Sequence, residues 1–134
     1  CVQAVLKTKT SLLKRVYALH KAKWLASKEL AAFVEEHKAW LPAYALFCHF
    51  KDQFETADFN TWPEHKTITQ AEVEKLTSKT SSIFGDVIAY HYWVQYHLSK
   101  QLTEAANYAA SKGIVLKGDL PIGVDPLRYG VFRP

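Results

Sequence analysis

Residues 84–125 read FGDVIAYHYWVQYHLSKQLTEAANYAASKGIVLKGDLPIGVD. Phe84, Val87, Ile88, Val94, Leu98, Leu102, Ala105 and Ala109 recur at helical steps, so the spacing predicts one long helix over 84–111. Gly113 stands where a helix commonly ends with a residue in the left-handed conformation. Ile114, Val115 and Leu116 follow at once, and the pattern predicts a buried strand over 114–124. His91 and Gln95 interrupt the helical stripe at positions i and i+4. That spacing lets them contact each other or reach one common partner. Tyr90, Tyr92, Trp93 and Tyr96 surround them, so this part of the helix is expected to be buried nearly all round. The simplest reading of the pair is a polar contact satisfied within the core; a ligand contact is the alternative.

Asp119 closes the expected strand, where a carboxylate must offset the cost of its desolvation. An acid at the carboxyl end of a strand that follows a long helix is what a (β/α) barrel places at its functional face. Asp119 and Asp125 are the only acids on this expected strand. Six residues of extended chain separate them by roughly 20 Å. A retaining pair of carboxyls needs about 5.5 Å. They cannot form that pair.

The chain upstream is also helical in pattern. Val5, Leu12, Leu13, Val16, Leu19 and Ala22 predict a helix over about 2–23, with basic residues between them. Ser27 reads as the N-cap of a short helix over 28–37, with Phe33 on its inner side. Trp40-Leu41-Pro42 opens another helix, because proline suits a first turn whose N–H groups lack partners anyway. Trp40, Ala43, Tyr44, Phe47, Phe50 and Phe54 give it a wide aromatic face. Residues 56–66 are a loop rich in turn formers, and 77–82 a polar link. Between them Thr69 and Glu72 make a capping-box pattern before a short helix reaching Leu76. The expected core centres on Trp40, Tyr44, Phe47, Phe50, Phe54, Val87, Val94, Leu98 and Leu102.

The 134 residues, 49% of them hydrophobic, suffice for one globular unit. No apolar run is long enough for a transmembrane helix, and no signal peptide is evident, so no membrane partner is expected. The two cysteines, Cys1 and Cys48, do not make a disulfide framework. Cys48 reads as a buried thiol in a reducing compartment. A first residue of Cys, with no Met anywhere, suggests a processed chain. The six histidines include no pair at the spacing of a helical zinc site, and no phosphate-cradling glycine loop occurs. No metal is expected.

The formal charge of +4 is uneven, since residues 1–28 hold six lysines, one arginine and no acid. Lys7, Lys9, Lys14 and Arg15 make a candidate basic patch for RNA or an acidic partner. The solvated face of a surface helix explains the same pattern and is favoured here.

Two stretches carry a family resemblance: AWLPAYALFCHFKDQFETADFNTWP, residues 39–63, and residues 88–125 quoted above. They resemble the 4-α-glucanotransferases, and the plant and algal cytosolic disproportionating branch more than bacterial amylomaltase. The resemblance spans about residues 8–125. It implies transfer of α-1,4-linked glucan segments on a (β/α)₈ barrel by a retaining mechanism, without metal or organic cofactor. It implies that these residues are the helical insertion leading into the third barrel strand. Asp119 is then an auxiliary active-site carboxylate, and a cytosolic setting follows, with an organelle as the alternative.

The departures shape the expectation. The family's nucleophile, acid/base and transition-state aspartate lie on later strands, and its amino-terminal starch-binding modules precede this region. Residues 126–134, PLRYGVFRP, depart from the family pattern. The expected fold class is therefore mostly α: a helical segment of such a barrel with one carboxy-terminal strand, not a complete barrel. The expected layout is a single unit, with helices over 1–112, a strand over 113–125 and a divergent tail over 126–134. The expected function is that of a glucanotransferase fragment, inactive alone, whose substrate in the whole enzyme is α-glucan. The alternative is a non-catalytic structural subunit of a larger assembly, with RNA bound through the basic amino terminus or proteins covering the strand. A weaker third reading is a glucan-binding module.

Overall fold

The computed structural model describes residues 2–118, and within them the ordered elements are helical. Helix α1 spans Val2–Leu25, α2 Lys28–Glu36, α3 Leu41–Gln53, α4 Gln70–Thr77 and α5 Ala89–Ser111. A single 3₁₀ turn, Phe59–Thr61, lies in the loop between α3 and α4, and a π-helical turn, Phe84–Ile88, leads into α5.

The helix boundaries follow local chemistry. Ser27 caps α2, its hydroxyl accepting from the Leu30 N–H at 3.2 Å. Thr69 and Glu72 form the reciprocal capping box on α4. Pro42 lies in the first turn of α3, where its missing N–H costs nothing. At the end of α5, Gly113 takes φ +71°. Its N–H reaches Ala110 O, and the Ile114 N–H reaches Ala109 O. These two bonds satisfy carbonyls that would otherwise end the helix bare, and only glycine adopts that φ without steric cost.

α5 and the π turn form the axis on which α1, α2 and α3 pack, while α4 packs on α3 and the π turn. The core is built from Tyr17 of α1, Leu30 of α2, Leu41, Leu46 and Phe50 of α3, Val73 of α4, and Ile88, Tyr90, Tyr92 and Trp93. Burying each of Leu41, Leu46 and Ile88 contributes about 1.5–3 kcal/mol. Trp62, from the α3–α4 loop, is fully enclosed and donates from Nε1 to Thr56 O at 3.0 Å. Tyr17 donates from Oη to Gly85 O in the π turn at 2.7 Å.

The core differs from the expected one at four positions. Trp40, Tyr44, Leu98 and Leu102 are 44%, 38%, 53% and 68% exposed. Helical spacing fixes which side chains share a face; it does not fix where the covering helices stop. α5 outruns its neighbours, so Leu98 and Leu102 continue the stripe into solvent. Phe50 is buried as expected, and Phe47, Phe54 and Val94 pack against the core from its margin.

The strand is not formed in the part of it that is described. Residues 114–118 carry no strand, and Val115 is 90% exposed. A strand needs hydrogen-bonding groups from a neighbour, and no strand occurs among the described residues to supply them. The remainder of the expected strand, with Asp119, and the tail over 126–134 lie outside the described residues.

Candidate functional site

His91 and Gln95 do reach a common partner, and it is Tyr44. Gln95 donates from Nε2 to Tyr44 Oη at 3.1 Å. The His91 ring meets the Tyr44 ring edge-on at 6.5 Å and the Tyr90 ring at 5.2 Å. The fold thus joins α3 to α5 through one polar contact. Burial pushes the His91 imidazole down to about 4, against an upward pull from Asp52, while Lys14, Lys51 and His49 press it further down. His91 is therefore neutral near pH 7.

On its other side His91 opens into a polar cleft of about 280 Å³. Lys14 enters from α1, His49, Asp52 and Gln53 from α3, Asp86 from the π turn, and Tyr90 from α5. His49 and Asp52 share one face of α3 because they stand three residues apart. The π turn re-aims Asp86, which pairs with Lys21 at 2.6 Å. Lys14 Nζ lies 5.9 Å from the centre of the Tyr90 ring, a cation–π contact. Burial pushes His49 down, with Asp52 pulling it back up. Cys48, beside it in sequence, is a buried free thiol that burial pushes up, out of the reactive range.

The basic patch is divided by the helix. Lys7, Lys14 and Arg15 line one shallow face of α1 together with Thr10 and Ser11. Lys9 stands two positions from Lys7, about 200° around the helix, and is not part of that face. Asp119 lies outside the described residues. Among the described residues no group of three or more His, Cys, Asp or Glu side chains could hold a metal ion. No described helix is long and apolar enough to cross a membrane.

Sequence reasoning singled out His91 and Gln95 but missed their neighbours. The aromatic stripe of α3 puts Tyr44 in the expected core, whereas it is 38% exposed. His49 and Asp52 carry a readable signal, an acid three positions after a histidine on a helix. Asp86 and Lys14 come from other elements and carry none.

The described residues thus form a helical unit with a polar cleft and exposed apolar side chains on α1 and α5. The family model for 4-alpha-glucanotransferase matches residues 2–132, and the chain belongs to that family. It is 43% identical over 123 residues to the 4-alpha-glucanotransferase DPE2 of Oryza sativa subsp. japonica, which covers 92% of this chain and 13% of the rice protein. Bacterial 4-alpha-glucanotransferases are also similar. Identity is 27% over 121 residues for Chlamydia muridarum, covering 90% of this chain and 22% of that protein. It is 29% over 120 residues for Clostridium butyricum, covering 88% and 23%. The chain thus spans less than a quarter of the length of these relatives. No solved structure matches.

Proposed function

We propose that this chain is the helical segment of an enzyme that transfers α-1,4-linked glucan segments, and that it does not turn over glucan by itself. The observation that carries the reading is the pair of uncovered apolar faces. Leu6, Leu12, Leu13 and Leu19 of α1 are exposed, and so are Leu98, Leu102 and Tyr108 of α5 and Ile114, Val115 and Leu116 beyond it. A stable monomer rarely leaves so many large apolar side chains of neighbouring helices in water. The remaining length of a glucanotransferase would cover it. Membership of the family supports a glucanotransferase as the source of that cover.

The carboxylates in the cleft do not supply a retaining pair. Asp86 is tied to Lys21, and Asp52 is exposed, whereas a general acid needs an apolar setting that keeps its proton. In this reading Asp119 stands at the end of a barrel strand and supports a site whose nucleophile and acid/base come from elsewhere in the enzyme. Disproportionation of maltose is the test. We expect no glucose release by the purified chain and release by a full-length enzyme carrying this segment. Turnover by the chain at the full-length rate would refute the proposal.

The acid-free basic face of α1 favours a second reading, an RNA-bound structural subunit. In that case replacing Lys7, Lys9, Lys14 and Arg15 weakens RNA binding and flattens its salt dependence. Unchanged binding would exclude it.

A further inference from the structure

We infer that the outer face of α1 receives an acidic amphipathic helix from the remaining length of the enzyme. The inference rests on the proposed glucanotransferase role and adds the chemistry of the segment that covers this face.

Helix α1 meets the rest of the described unit along a narrow line. Among its described residues only Tyr17 is buried, and Lys21 and Trp24 are half-buried. Residues 4–16 are all exposed. A helix of about 12–15 residues without tertiary cover is marginal in water, so this stretch needs a neighbour to hold it. The side chains show where that neighbour lies. Val5, Leu12 and Leu19 recur at heptad spacing, and Val16 falls between the last two. At about 100° per residue these side chains share an arc of about 60°, roughly 130° around the helix from Tyr17. They form a second apolar seam, turned away from the contact of Tyr17 with Tyr90 and Trp93 of α5.

Charge selects the occupant. Lys9 and Lys23 stand beside the seam on the same arc, and Arg15 at its edge. Among the described residues none of these three makes an ion pair, whereas Lys21 pairs with Asp86 and Lys14 lies over Tyr90. Residues 1–28 contain no acid to offset them. A helix with an apolar seam and Asp or Glu beside it answers both features at once, because charges flanking a seam set which helix pairs with which. Charge also argues against simpler occupants. A second copy's α1 would set Lys9, Arg15 and Lys23 against the same cations. The bare flank of α5 brings a single acid, Glu104. A bilayer would have to accommodate Lys9 and Lys23 within the apolar arc. RNA phosphates would meet the cations and leave the seam bare. The chain spans less than a quarter of the length of its relatives, which leaves ample sequence in such an enzyme to supply the helix.

Photocross-linking in a full-length enzyme carrying this segment tests this, with a benzophenone side chain placed at Leu12 or at Leu19. We expect a link within one polypeptide to a helical segment whose acids outnumber its bases. A link between copies, a link to a segment without that excess, or no link would overturn the inference. The linked segment, made as a peptide, is then titrated into the chain. Its affinity should fall as salt rises. Lys9→Glu with Lys23→Glu, both at exposed positions that circular dichroism would show still folded, should weaken binding at least tenfold. Exchanging the facing acids of the peptide for lysines should restore binding to that variant, which a mere loss of helix would not allow. Unaltered affinity in the variant, or no recovery with the exchanged peptide, would sink the inference. So would phosphatidylserine vesicles or poly(U) RNA that bind through the same residues as tightly as the peptide. Glucan transfer by the full-length enzyme without the link would leave the family role standing, and the link without any transfer would sink the role alone.

Discussion

His91 is held neutral by burial, and that has a pH consequence. Its folded-state pKa, about 4, lies below the ordinary histidine value of 6.5, so the unfolded chain takes up the proton first. The stability owed to neutral His91 is complete above pH 6.5 and is lost as the pH falls toward about 4. Asp52, Lys14, Lys51 and His49 all face the ring and set its local field. Urea unfolding of the chain and of His91→Gln between about pH 7 and pH 4 should show about 2 kcal/mol more acid loss in the parent. Equal loss in both would mean that His91 titrates normally. The Gln95–Tyr44 bond makes a second residue-level prediction. A double-mutant cycle of Gln95→Ala and Tyr44→Phe should give a coupling of about 0.5–1.5 kcal/mol, and no coupling would show that the contact is not populated in solution.

Among the elements, the caps act over a few residues and are legible in the sequence. Ser27, Pro42, the Thr69–Glu72 box and Gly113 all stand where local chemistry puts them. Ser27→Ala should lower stability by about 1 kcal/mol, read as a fall in the thermal midpoint, because it leaves the Leu30 N–H unpaired. No change would mean that α2 is held by packing alone. The start of the long helix differs in kind from its pattern. Periodicity ran the α pattern from Phe84, whereas Phe84–Ile88 is a π turn whose Gly85 carbonyl accepts from Tyr17. A π turn inserts one extra residue, and a hydrophobic stripe does not register that insertion. The extended pattern over 114–118 failed for a different reason, since a strand is never a property of one segment.

For the whole molecule, the flanks of α1 and α5 dominate behaviour in isolation. The chain alone should associate as its concentration rises in sedimentation velocity. Leu98→Glu with Leu102→Glu should reduce that association while changing stability by no more than about 1 kcal/mol, both side chains being mostly in water. Association that persists unchanged would place the sticky surface elsewhere. Sequence by itself determined the helices, their caps, the polar pair on α5 and the family, because periodicity, capping and motif spacing are local and linear. Tertiary structure alone decided that Tyr44 leaves the core to meet Gln95, that Lys14, Asp52 and Asp86 gather around His91, and that the apolar stripes run past their cover. Those outcomes depend on which distant helix arrives at a given face and where it ends, and no short stretch of sequence carries that information.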